Sequence, residues 1–115
     1  MIRLALALSL IAFPAAAETM SFFIANGMPH DVAVELHGER RVWPGDDQVY
    51  LIGRGEKKSV PIECSPGERI CYGAWKLGDD RVSFGVGPDG SFVCDDCCSI
   101  CVGSTISDIR LGTMD

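Results

Sequence analysis

Short runs rich in Val, Ile, Phe, Tyr and Trp alternate along this chain with clusters of Gly, Pro and Asp. The clusters fall at 27–29, 38–39, 44–47, 53–55, 65–67, 78–80 and 87–90, and between them lie strand-like runs at 21–26, 31–37, 48–52, 57–63, 69–77, 81–86 and 107–111. Turn chemistry recurring at such short, even intervals around β-branched and aromatic runs is the pattern of a sandwich or barrel. Alternation sharpens it: Val32, Val34 and Leu36 point one way, while Ala33, Glu35 and His37 point the other. One buried and one wet face is the antiparallel arrangement. After the leader described below, no segment longer than ten residues keeps a helical period without Gly or Pro breaking it. The expectation is an all-β fold, a small antiparallel β-sandwich of about seven strands. The stretches 43–50 and 75–84 echo each other, each running from Trp through Gly-Asp-Asp to a Val-aromatic pair. Turn preference and β-propensity produce that as a recurring hairpin without duplication.

The first seventeen residues follow a different rule. Arg3 precedes an apolar run at 4–13, broken only by Ser9, and then come Pro14 and Ala15-Ala16-Ala17. This is the three-part pattern of a secretory signal peptide, with an apolar run too short to cross a bilayer core of about 30 Å. Cleavage is expected before Glu18, leaving one domain at 18–115. No later stretch is apolar enough to span a membrane, so a periplasmic or secreted protein is expected, in a compartment where disulfides persist. Ten Lys and Arg, one of them Arg3 in the leader, stand against 16 Asp and Glu. The basic residues are scattered singly or in pairs, which sets nucleic-acid partners aside.

Six cysteines give the chain its most specific signal. Cys64 and Cys71 flank Ser-Pro-Gly-Glu-Arg-Ile, a spacing that suits a hairpin. A turn at Gly67-Glu68 would set the two opposite each other, whereas a turn at Pro66-Gly67 would set them diagonally. Cys94, Cys97, Cys98 and Cys101 form a dense cluster with an adjacent pair at its centre. The even count and the leader favour three disulfides, some joining the cluster to Cys64 and Cys71, with the pairing left open. The alternative is a soft-metal site for Cu(I) or zinc built from Cys94, Cys97, Cys98 and Cys101. So short a loop wraps a single ion poorly, and thiolates would have to survive oxidation. A thiol–disulfide oxidoreductase is the third alternative; it would need one accessible pair that cycles while the other four sulfurs stay bonded. Asp95 and Asp96 between Cys94 and Cys97 disfavour a thiolate there.

Other chemistry is sparse. His30 and His37 could ligate a metal with Asp31 or Glu35, but no motif surrounds them. No nucleophile elbow, zinc-protease helix, phosphate loop or calcium loop is present. The pairs Asp46-Asp47, Asp79-Asp80 and Asp95-Asp96 sit in turns, where Asp bonds its own backbone. Trp43, Tyr50, Tyr72, Trp75 and Phe84 are expected mostly in the core; Trp43, beside Pro44 at a turn, is the one expected on a binding surface.

The runs Gly67-Glu-Arg-Ile-Cys-Tyr-Gly-Ala-Trp75, Gly85-Val-Gly87 and Cys94-x-x-Cys-Cys-x-x-Cys101 resemble those of small uncharacterised exported bacterial proteins, over the C-terminal half. More loosely, Phe23-x-x-Asn26, the Val-rich second strand and Gly55-Glu56 are similar to thaumatin-like β-sandwich domains. The first resemblance implies export and the second a sandwich fold; neither implies an activity. The sequence thus predicts a disulfide-stabilised binding or structural module with a protein or envelope partner, no cofactor and no catalytic residue.

Overall fold

The computed structural model describes residues 17–113. The expected leader, apart from Ala17, lies outside them. Each of the seven expected runs forms a strand, and two short strands join them. In chain order these are β1 (Glu18–Gly27), β2 (Val32–His37), β3 (Val42–Trp43), β4 (Tyr50–Ile52), β5 (Lys57–Cys64), β6 (Arg69–Lys76), β7 (Asp79–Gly85), β8 (Cys98–Ile100) and β9 (Ile106–Gly112), with a 3-10 turn at Pro88–Gly90.

Two sheets result. The smaller has the order β5-β1-β9, with β5 antiparallel and β9 parallel to β1. That parallel pair departs from the all-antiparallel expectation, and it joins the two ends of the described chain. In the larger sheet β2 and β6 form the centre; β3 and β4 share the outer edge of β2, while β7 and β8 share the outer edge of β6. Each of those edges is therefore one interrupted strand, and the interruptions at 44–49 and 86–97 are free to fold over the sheet.

Period-two patterning fixes which faces meet. Met20, Phe22 and Ile24 of β1, Val60 and Ile62 of β5, and Ile109 and Leu111 of β9 face Val32, Val34 and Leu36 of β2 and Ile70 and Ala74 of β6 in one core. Tyr50, Tyr72 and Phe84 pack against that core, as expected of them. Pro61, which has no N–H to give a ladder, sits in β5, at the edge of the smaller sheet where a proline is tolerated.

Two local expectations change. The turn at 65–68 does not close a hairpin, because β5 belongs to the smaller sheet and β6 to the larger. The echo between 43–50 and 75–84 is likewise not a repeated hairpin. β6 and β7 do form one across Leu77-Gly78, but β3 and β4 both pair with β2. Between them Gly45, Asp46 and Asp47 all take positive φ, a left-handed run that Gly and Asp tolerate better than other residues.

Candidate functional site

The cysteines join in three bonds: Cys64–Cys101, Cys71–Cys98 and Cys94–Cys97. No bond links Cys64 to Cys71, and the sheets explain why. Cys64 ends β5 pointing into the core, 2 % exposed, where Cys101 meets it. Cys71 instead stands beside His37 in register, on the outer face of the larger sheet, opposite Cys98 of β8. The first bond staples one sheet to the other and the second staples β6 to β8. Closing loops of 37 and 27 residues stabilises by about 3–4 kcal/mol each in the chain-entropy picture, whereas a separation of 3 gives under about 2 kcal/mol. With every cysteine paired, no thiolate remains in this oxidation state for a soft cation. Among the described residues, no group of three or more His, Cys, Asp or Glu converges on one point.

The staples hold down a loop that covers the outer face of the larger sheet. Residues 86–92 close on themselves through Phe92 N–H donating to the Val86 carbonyl at 2.9 Å, and they lie directly on Gly73 of β6. A Cβ at Gly73 would run into the Gly87 carbonyl oxygen, so only glycine admits the loop at this height. For that reason Glu35, expected on a wet face, is buried: the Asp89 N–H donates to its Oε1 at 3.4 Å. His37 Nε2 stands 3.6 Å from the same oxygen, without a hydrogen bond.

Beside this loop opens a cleft of about 210 Å3 lined by Glu35, Asp47, Val49, Trp75, Asp80, Pro88 and Asp89. An indole among carboxylates receives cationic groups, through the ring face and through charge together. The tryptophan on this outer face is the half-buried Trp75, not Trp43. Register decides between them: Trp43 pairs with the inward-facing Leu36, while Trp75 pairs with the outward-facing Ala33. Trp43 is 5 % exposed, with the Arg41 guanidinium stacked over its ring at 4.7 Å. It is a core residue, not the exposed one the sequence pattern suggested.

The paired carboxylates divide their work. Asp79 is held by Arg81, whose Nε and Nη2 donate to its two oxygens at 2.8 and 3.1 Å, and this fork keeps the Asp79 carboxyl below its usual range while raising Arg81. Its neighbour Asp80 is left for the cleft, as Asp47 is beside the left-handed Asp46. Asp95 and Asp96 lie exposed next to the Cys94–Cys97 bond. Asp31 accepts the Arg54 N–H at 2.9 Å, and the His30 carbonyl accepts from Asn26, so that end of the chain serves the fold. Val49, Trp75, Pro88 and Asp89 are the cleft residues the sequence pattern did not single out for binding. The pairing of opposite β2 and β6 residues, which decides their face, is not written in either strand alone.

The fold and its staples define a class, a small disulfide-tied β-sandwich with a loop-covered outer face. No family model matches the chain, and no curated protein or solved structure matches it either.

Proposed function

We propose that this chain is an exported binding or structural module of the periplasm or extracellular space, without catalytic activity of its own. The observation that carries this reading is the pairing of all six cysteines, two of the bonds tying the strands of a small core together. Such cross-linking belongs to proteins that live where thiols oxidise. No helix among the described residues is long and apolar enough to cross a membrane. The Trp75 cleft is the face on which a cationic group of a protein or envelope partner would sit.

Expressed with its leader in a bacterium, the protein should appear in the periplasmic fraction or the medium, begin at Glu18, and take up no alkylating reagent. Cytoplasmic retention with the leader attached, or alkylatable cysteines carrying a metal, would overturn the reading. For the cleft, Trp75 emission in a Trp43→Phe background should respond to a lysine-rich peptide at low salt and lose that response at high salt. An unresponsive Trp75 would remove the cleft from the proposal.

A further inference from the structure

The three disulfides are not equivalent. Cys64–Cys101 is buried in the core, and Cys71–Cys98 links paired strands. Cys94–Cys97 lies outside every strand, in a loop where Val93 is 94 % exposed and Asp95 and Asp96 face solvent. The bond spans a sequence separation of only 3, against 37 and 27 for the others, so breaking it releases almost no chain. What remains after it opens is still anchored on both sides. Phe92 N–H holds the Val86 carbonyl at 2.9 Å, the Cys97 carbonyl accepts the Tyr72 N–H at 3.0 Å, and Cys98 is bonded to Cys71.

We propose that Cys94–Cys97 is a thiol-exchange site, opened by a dithiol reductant while the other two disulfides stay closed and the sandwich stays folded. The Cys97 backbone is held against β6 by the bond from the Tyr72 N–H, so the attack is placed on Cys94. One thiolate of the dithiol attacks the Cys94 sulfur, forming a mixed disulfide; the Cys97 sulfur leaves and takes up a proton. The second thiol of the reductant then attacks the mixed disulfide and releases Cys94 as a thiol. Two electrons pass from the dithiol to the protein, which ends with two thiols, while the reductant ends as a disulfide. Here the chain is the substrate of exchange, which is compatible with its having no catalytic role. The carboxylates of Asp95 and Asp96 select among reductants by charge: an anionic thiol is repelled and a cationic one drawn in.

The test titrates the leader-free chain with reduced and oxidised dithiothreitol at neutral pH, traps thiols by alkylation and maps the label by mass spectrometry. Cys94 and Cys97 should label as a pair at a reductant ratio at least about tenfold lower than the other four, as the exposed position of their bond outside the strands predicts, with the circular dichroism spectrum unchanged. A Cys94→Ser/Cys97→Ser variant should lose that first step and leave the remaining four sulfurs unlabelled over the same range. Opening of all three bonds in one step, earlier opening of either strand-linking bond, or loss of the native spectrum with the first two labels would overturn the proposal.

Discussion

Asn26 closes one end of the sandwich with a single polar side chain. Fully buried, it points its Nδ2 at the carbonyls of His30, Ile52 and Gly53 at 3.0 to 3.1 Å, and its Oδ1 accepts the Met28 N–H at 2.9 Å. It thereby pins the β1–β2 turn to the turn between β4 and β5. Asn26→Asp keeps the shape but sets an unpaired carboxylate among carbonyl oxygens, and it should cost about 3–5 kcal/mol in urea unfolding at pH 7. Wild-type stability in that variant would show that these bonds do not hold the end together. The two tyrosines make a different prediction. Burial raises both phenols above their ordinary value, with the Arg41 charge pulling Tyr50 partly back. Each therefore stays protonated in the fold at pH values where it would ionise in the unfolded chain. Their contribution is complete below the unfolded value of about 10 and is lost as pH rises through the raised folded values. Phenolate absorbance should lag behind free tyrosine above about pH 10, and the thermal midpoint should fall over the same window. Absorbance coincident with free tyrosine would contradict their burial.

Among the elements, stability should follow what each disulfide ties. Replacing Cys64 and Cys101 by Ala removes a buried staple between the sheets and should cost about 4 kcal/mol; replacing Cys94 and Cys97 should cost under about 2 kcal/mol, both read from denaturant midpoints. Equal losses would mean that the bonds act by something other than the chain they close. The strands themselves were legible because 57–63 and 107–111 carry turn-bounded, β-rich patterns readable from neighbours alone. β3 and β8 escaped notice because two or three residues hold too little pattern, and both exist only by pairing with a longer strand, β2 or β6. The same limit governed the cysteines. Cys64 and Cys71 look like hairpin partners at close range, yet the chain between them passes from one sheet to the other and turns their sulfurs to opposite faces. Trp43 and Trp75 were misplaced for the same reason, since their side of the sheet depends on register with β2.

At the scale of the molecule, two small sheets share one core and a loop is fastened over the outer face of the larger. Gly73 lets that loop approach, Glu35 accepts from its backbone, and the Cys71–Cys98 bond holds its return strand. The cleft exists because both interrupted edges fold toward the same face, bringing Asp47 from one and Asp80 and Asp89 from the other around Trp75. The disulfide-tied frame carries a charged aromatic recess on that face, on which the proposed binding role rests, and the net charge of -6 favours a dispersed protein. The staples between strands, the fastened loop and the exchange site all depend on the oxidised framework. The most direct test is disulfide mapping of the protein recovered after export, digested without reduction. Linked peptides joining Cys64 to Cys101, Cys71 to Cys98 and Cys94 to Cys97, in a chain six hydrogens lighter than its reduced form, are the predicted result. A Cys64–Cys71 link, or free cysteines in the cluster of the native protein, would contradict it.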